Sequence, residues 1–173
     1  MKTILFPTDF SKAAENAYIY ALNFAKKIGA NVTTLHVYEL PYIQNVRVPR
    51  TLMEIYEQID LETFENYKDS IPVLHEIAKK NALTNVRVDH LMKEGETVPT
   101  IIKTAKAIGA DMIIMGTKGA TGLKEVFIGT VAGTVLEKAP CPTLVVPEDA
   151  VFDGKLDNIA MTVSYEKNEE NAL

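Results

Sequence analysis

The residues best suited to chemistry fall in one stretch: Gly116, two residues, Gly119, nine residues, then Gly129-Thr130. Gly116 follows the apolar run Met112-Ile113-Ile114-Met115, and Gly129-Thr130 precedes a helical pattern. Glycines at the carboxyl edge of a strand tolerate positive φ and let a ligand approach the backbone. A helix opening at Gly129-Thr130 offers free N–H groups and a positive dipole end, which suit a phosphate, and the Thr130 hydroxyl adds a hydrogen bond. The spacing is neither the P-loop, which closes on Gly-Lys-Ser/Thr, nor the Gly-x-Gly-x-x-Gly dinucleotide fingerprint. Glycines that only shape a turn and cap a helix would leave the same pattern.

Other reactive side chains lack partners along the chain. His36, His75 and His90 show no metal-ligand spacing, and His36 is expected in or beside a sheet. Cys141 lies between Pro140 and Pro142 and reads as a structural thiol; a lone cysteine excludes an internal disulfide. Ser11 and Ser164 lack a nucleophile elbow, and the acids at 54, 57, 62 and 65 keep helical spacing, as a solvated face does. Asp9 has two readings, a ligand contact or the N-terminal cap of the next helix. No catalytic constellation is visible.

The elements that must position these residues alternate between two periodicities. Lys2–Pro7, Asn31–Tyr38, Val86–Lys93, Met112–Gly116 and Thr143–Val146 read as strands. Ser11 caps a helix whose apolar positions include Ala14, Ala17, Ala21, Leu22 and Ala25, and Gly29 ends it. Residues 39–50, with Pro41 and Pro49, read as a loop. Residues 51–81 read as helix, with Pro72 expected to break or restart it and Asn81 to stop it. Thr97 or Val98 opens a helix that runs from Pro99 to Ile108, where Gly109 ends it, and Thr130–Lys138 forms the last. The expected fold is α/β: a Rossmann-like open parallel sheet of five strands, order 3-2-1-4-5, with helices on both faces.

Composition narrows the partners. The chain has 173 residues, 47% hydrophobic and 24% charged, which is ordinary globular usage. Residues 1–147 carry 16 Lys and Arg against 16 Asp and Glu, so the net charge of −5 comes from the last 26 residues. A neutral body without a basic stretch argues against nucleic acid as a partner. No apolar run approaches a membrane span, and the start lacks a signal-peptide core, so a cytoplasmic location is expected.

An offset of 155 sets Lys2-Thr3-Ile4-Leu5-Phe6 beside Asp157-Asn158-Ile159-Ala160-Met161, Phe10 on Tyr165, and Glu15-Asn16-Ala17 on Glu170-Asn171-Ala172. Residues 148–173 are therefore expected to be an acidic linker followed by the first strand and helix start of a second, truncated copy; a disordered acidic tail is the alternative.

Four segments in order carry a family resemblance: Ile4-Leu5-Phe6-Pro7-Thr8-Asp9-Phe10-Ser11, Thr34-Leu35-His36-Val37-Tyr38, Ala110-Asp111 through Gly119, and Gly129-Thr130-Val131 through Pro147. Residues 1–147 thereby resemble the universal stress protein family, in its ATP-binding type. The resemblance implies ATP as cofactor, with Mg2+ as an optional companion. It implies that Pro7, Thr8 and Asp9 line the adenosine pocket and that Val37 offers backbone contacts to adenine. Met115 and Gly116 would sit by the ribose, and Gly119, Gly129, Thr130 and Val131 would hold the phosphates. It also implies a homodimer through the Thr143–Val146 edge. A stress-response nucleotide-binding protein is the expected function; a slow ATPase or other nucleotide-dependent enzyme, and a nucleotide-free dimeric scaffold, are the alternatives.

Overall fold

A computed structural model describes residues 2–40, 50–117 and 128–155, with the side chains of residues 50–52 and 56 left aside. Gly119 and the second-copy segment from residue 156 onward lie outside the described residues.

Five parallel strands form one sheet. These are β1 (Lys2–Pro7), β2 (Ala30–Tyr38), β3 (Val88–Glu94), β4 (Met112–Gly116) and β5 (Thr143–Val146), ordered β3-β2-β1-β4-β5. The connecting helices are α1 (Lys12–Ile28), α2 (Arg50–Lys80), α3 (Thr97–Ile108) and α4 (Thr130–Lys138). β1 is central, running beside β2 from Lys2↔Ala30 to Pro7↔Leu35 and beside β4 at Ile4↔Met112 and Leu5↔Ile113. Its alternation decides the layers. Ile4 and Phe6 enter one core with Tyr18, Leu22, Val32 and Leu74. Leu5 enters the other with Leu35, Ile101, Ile113 and Val135.

Local chemistry fixes the helix ends. The Ser11 hydroxyl accepts from the Ala14 N–H at 3.2 Å, which assigns the α1 cap to Ser11 rather than Asp9. Gly29 and Gly109 take the left-handed conformation (φ 68° and 59°) that ends α1 and α3.

The expectations for α2 need two corrections. The helix continues through Pro72, because buried Tyr67 before it and Leu74 and Ala78 after it hold both halves against the fold. That anchoring offsets the roughly 3 kcal/mol that an internal proline costs. The stop is also displaced by one residue: Ala82 takes the positive φ of 53°, while the Asn81 amide donates to the Ile77 carbonyl at 2.8 Å. Glu57, Glu62 and Glu65 are exposed as expected, but so are Met53, Ile55, Leu61 and Phe64.

Residues 147–155 turn back onto α1. The Asn16 amide donates to the carbonyls of Pro147 at 3.3 Å and Ala150 at 2.8 Å. The Phe152 ring meets Tyr20 and Phe24 edge-on, with centroids 5.2 and 6.2 Å away.

Tyr18 is fully buried against Phe6, its hydroxyl has no partner among the described residues, and burial pushes its pKa up to about 12. The folded state therefore holds the phenol proton more tightly than the unfolded chain, whose pKa lies near 10. This contribution to stability is complete below pH ~10 and is lost as the pH rises through about 12. Tyr18→Phe removes an unsatisfied buried hydroxyl and is expected to be neutral to about 1 kcal/mol stabilising at neutral pH. Denaturant titrations at pH 8 to 12 should show the wild type losing stability above pH ~10 more steeply than the variant; parallel curves would contradict this assignment.

Candidate functional site

β1 connects to β2 on one side, whereas β4 pairs on its other side. The strand order therefore reverses at the β1/β4 boundary, and a crevice opens there beyond the carboxyl ends of the strands. The crevice is a cavity of about 350 Å³. Nine of the ten residues expected to bind nucleotide line it: Pro7, Thr8, Asp9, Val37, Met115, Gly116, Gly129, Thr130 and Val131. The tenth, Gly119, is outside the described residues.

The β1–α1 turn is held by its own side chains. The Thr8 N–H extends the ladder to the Leu35 carbonyl at 2.9 Å. The Thr8 hydroxyl then accepts from the Phe10 N–H at 3.0 Å, and the Asp9 carboxylate accepts from the Ser11 N–H at 3.0 Å. Phe10 pivots the chain with a positive φ of 59°, which a non-glycine residue adopts only when its surroundings hold it there. Its ring lies 4.9 Å from that of His36, which stacks on Tyr67 of α2 at 6.0 Å. The His36 Nδ1 is 3.0 Å from the Thr8 carbonyl. His36 thus braces the cavity wall from the α2 side of the sheet.

β2 outruns β1 and forms another wall. Backbone groups of alternate strand residues point the same way. The Leu35 carbonyl meets Thr8, so the backbone of Val37 faces the gap beyond the end of β1. Leu35 and Ile101, both essentially inaccessible, form the apolar floor with Met115.

Besides α1, capped by Ser11, two helix N-termini reach the cavity, and they differ. At α3, the Glu39 carboxylate accepts from the Thr97 N–H at 3.1 Å, so a side chain already occupies that end. At α4, Gly129 is the cap and supplies no side-chain hydrogen bond. Thr130, Val131 and Ala132 form its first turn, whose N–H groups lack helical partners by construction. The Gly129 N–H donates to the Thr117 carbonyl at 2.7 Å, and a Cβ on Gly129 would lie 2.9 Å from that oxygen. Glycine is needed there for close approach, since its φ of −55° is ordinary.

Ala14, Leu35, Thr97, Ile101, Thr117 and Ala132 also line the cavity and were not among the expected site residues. Thr97 and Ile101 lie one helical turn apart, a spacing that places them on one face of α3 without marking a cavity. Asp9 is the one charged side chain among the described lining residues. The arrangement offers an acid at one side, apolar walls between, and N–H donors without helical partners at the other. That combination suits an uncharged, hydrogen-bonding ring system joined to an anionic group.

Residues 1–147 match the model of the universal stress protein family. A universal stress protein of Methanocaldococcus jannaschii is 32% identical over 145 residues, covering 84% of this chain and 81% of its own length. Among solved structures, universal stress protein UspA from Lactobacillus plantarum superposes with a TM-score of 0.70 at 25% identity, covering 84% of this chain and 97% of that one. The universal stress protein of Archaeoglobus fulgidus solved in complex with dAMP gives 0.55 at 20% identity, covering 84% of this chain and 97% of that one.

Proposed function

We propose that this chain, which belongs to the universal stress protein family, binds an adenine nucleotide, ATP foremost, in the β1/β4 cavity and acts through nucleotide occupancy rather than turnover. One observation carries the reading: an acid-bearing turn and a helix N-terminus whose cap residue, Gly129, has no side chain face one cavity across an apolar floor. Its volume of about 350 Å³ is within the range of small-molecule sites. The dAMP held by the Archaeoglobus fulgidus protein supports an adenine nucleotide as the class of ligand.

In this reading the base lies against Leu35 and the Val37 backbone, Asp9 accepts from adenosine polar groups, and Met115 and Gly116 border the ribose. The phosphates meet the first turn of α4 at Gly129, Thr130 and Val131. A Mg2+ ion would rest mainly on phosphate and water, since Asp9 is the one carboxylate among the described lining residues. Efficient phosphoryl transfer also needs a residue that positions the nucleophile, and the described lining offers no candidate but Asp9.

Calorimetric titration of the purified chain with ATP, ADP and dAMP tests the proposal. Asp9→Ala is expected to weaken binding about 10- to 100-fold, the effect of a charge-assisted hydrogen bond. Asp9→Asn keeps an acceptor for the Ser11 N–H and so separates ligand contact from turn geometry. No binding by the wild type, or equal binding by all three proteins, would overturn it. The same reading includes a cytoplasmic homodimer through β5, supported by β5 lying at the edge of the sheet and pairing, among the described residues, with β4 alone. Light scattering at tens of micromolar should then give twice the chain mass, and the monomer mass would refute it.

A further inference from the structure

On the sheet face opposite the cavity floor, α2 and the edge strand β3 bring together two histidines that are 15 residues apart in sequence. The Nε2 atoms of His75 and His90 are 3.3 Å apart, and their ring centroids 5.4 Å. We propose that these two imidazoles form a site for a borderline divalent transition metal ion, Zn2+ foremost, which fastens α2 to the edge of the sheet.

The separation suits the ion. Two Zn–N bonds of about 2.0–2.1 Å at the tetrahedral angle place their nitrogens about 3.3–3.4 Å apart. A square-planar ion with similar bonds would need about 2.9 Å. The distance therefore matches a zinc first shell with little rearrangement of either side chain.

The hydrogen bonding around the pair also prepares it. His90 Nδ1 lies 2.8 Å from the hydroxyl of Thr34, which is almost completely buried on β2. When that oxygen accepts from Nδ1–H, the His90 Nε2 lone pair is turned towards His75, as an outer partner fixes the tautomer of a ligating histidine. The two Nε2 atoms are within hydrogen-bond distance of each other, and the ring tautomers decide which of them donates. A metal ion between them would take a lone pair from each Nε2.

Neighbouring carboxylates are engaged elsewhere. Asp89 points to the other face of β3 and pairs with Arg87 at 3.2 Å, and Glu76 pairs with Lys79 at 3.6 Å. Among the described residues no group of three or more His, Cys, Asp or Glu could hold a metal. The site is therefore two imidazoles with water completing the shell, which implies an exchangeable ion rather than a closed structural centre.

The test is calorimetric titration of the metal-stripped full chain with ZnCl2, with Co2+ and its visible absorption as a second probe of tetrahedral geometry. The expected result is one ion per chain, with affinity at least about tenfold lower in His75→Gln and in His90→Gln. Thr34→Val should lower it about tenfold while leaving both ligands in place, and Thr34→Ser should restore it. Cys141→Ser should have no effect, which separates this site from binding at the thiol. Circular dichroism checks that each variant is folded; exposed His75 is the substitution least able to disturb the fold. Wild-type-like binding by folded His75→Gln, or no zinc binding by the wild type, would overturn the proposal.

Discussion

The Gly129→Val protein is expected to fold but to bind adenine nucleotide at least about 100-fold more weakly than the wild type. A Cβ at 129 would stand 2.9 Å from the Thr117 carbonyl oxygen, a backbone atom that no rotamer change can move aside. The chain leaving β4 and the start of α4 must then separate, and the 2.7 Å hydrogen bond between them breaks. The first turn of α4 moves with it, taking along the N–H groups assigned to phosphate. Where several donors must converge on one group, a displacement of about 1 Å costs on the order of 100-fold. The stability cost should be smaller, about 1–3 kcal/mol, because buried Ala132 and Val135 still anchor α4. Calorimetry gives the affinity and urea unfolding the stability. Wild-type affinity in a folded Gly129→Val protein would remove the phosphate from this helix.

Phe6→Ala is expected to have the largest effect on stability, about 3–5 kcal/mol. Phe6 is fully buried in the central strand, with its ring centroid 5.4 Å from that of Tyr18. Neighbouring strands on both sides prevent β1 from collapsing into the space left behind. Against a typical total of about 5–15 kcal/mol, that loss would leave the domain close to its unfolding threshold at physiological temperature. Urea unfolding at 25 °C measures it. A loss below about 1 kcal/mol would mean that Phe6 does not pack against Tyr18 as described.

Much of the fold could be read locally because it is determined locally. Ser11, Gly29 and Gly109 do what their chemistry predicts at the helix ends, and the alternation of Ile4, Leu5 and Phe6 sends side chains to both layers. Pro72 misleads because its penalty is local, whereas the burial of Tyr67, Leu74 and Ala78 that outweighs it is set by tertiary packing. Ala82 misleads for the same reason. Its neighbour Asn81 is the better left-handed residue, yet Leu83 and Val86 must be buried just beyond, and that fixes where the chain turns.

The cavity was legible where strands and glycines mark it and not elsewhere. Thr97 and Ile101 reach it from α3, whose pattern shows only an ordinary amphipathic helix. The Glu39 contact that caps α3 spans 58 residues and carries no sequence signature. His75 and His90 likewise come together only because β3 pairs with β2 beneath α2.

The match to the family model stops at Pro147, but the packing does not. Phe152 covers the rings of Tyr20 and Phe24, and Asn16 holds the two carbonyls that begin the turn towards it. A protein shortened to residue 147 would therefore present a sticky aromatic strip to water and leave the Asn16 amide without the Ala150 carbonyl. Among the described residues Phe152 carries the packing beyond β5, and versions truncated before it are expected to be prone to self-association.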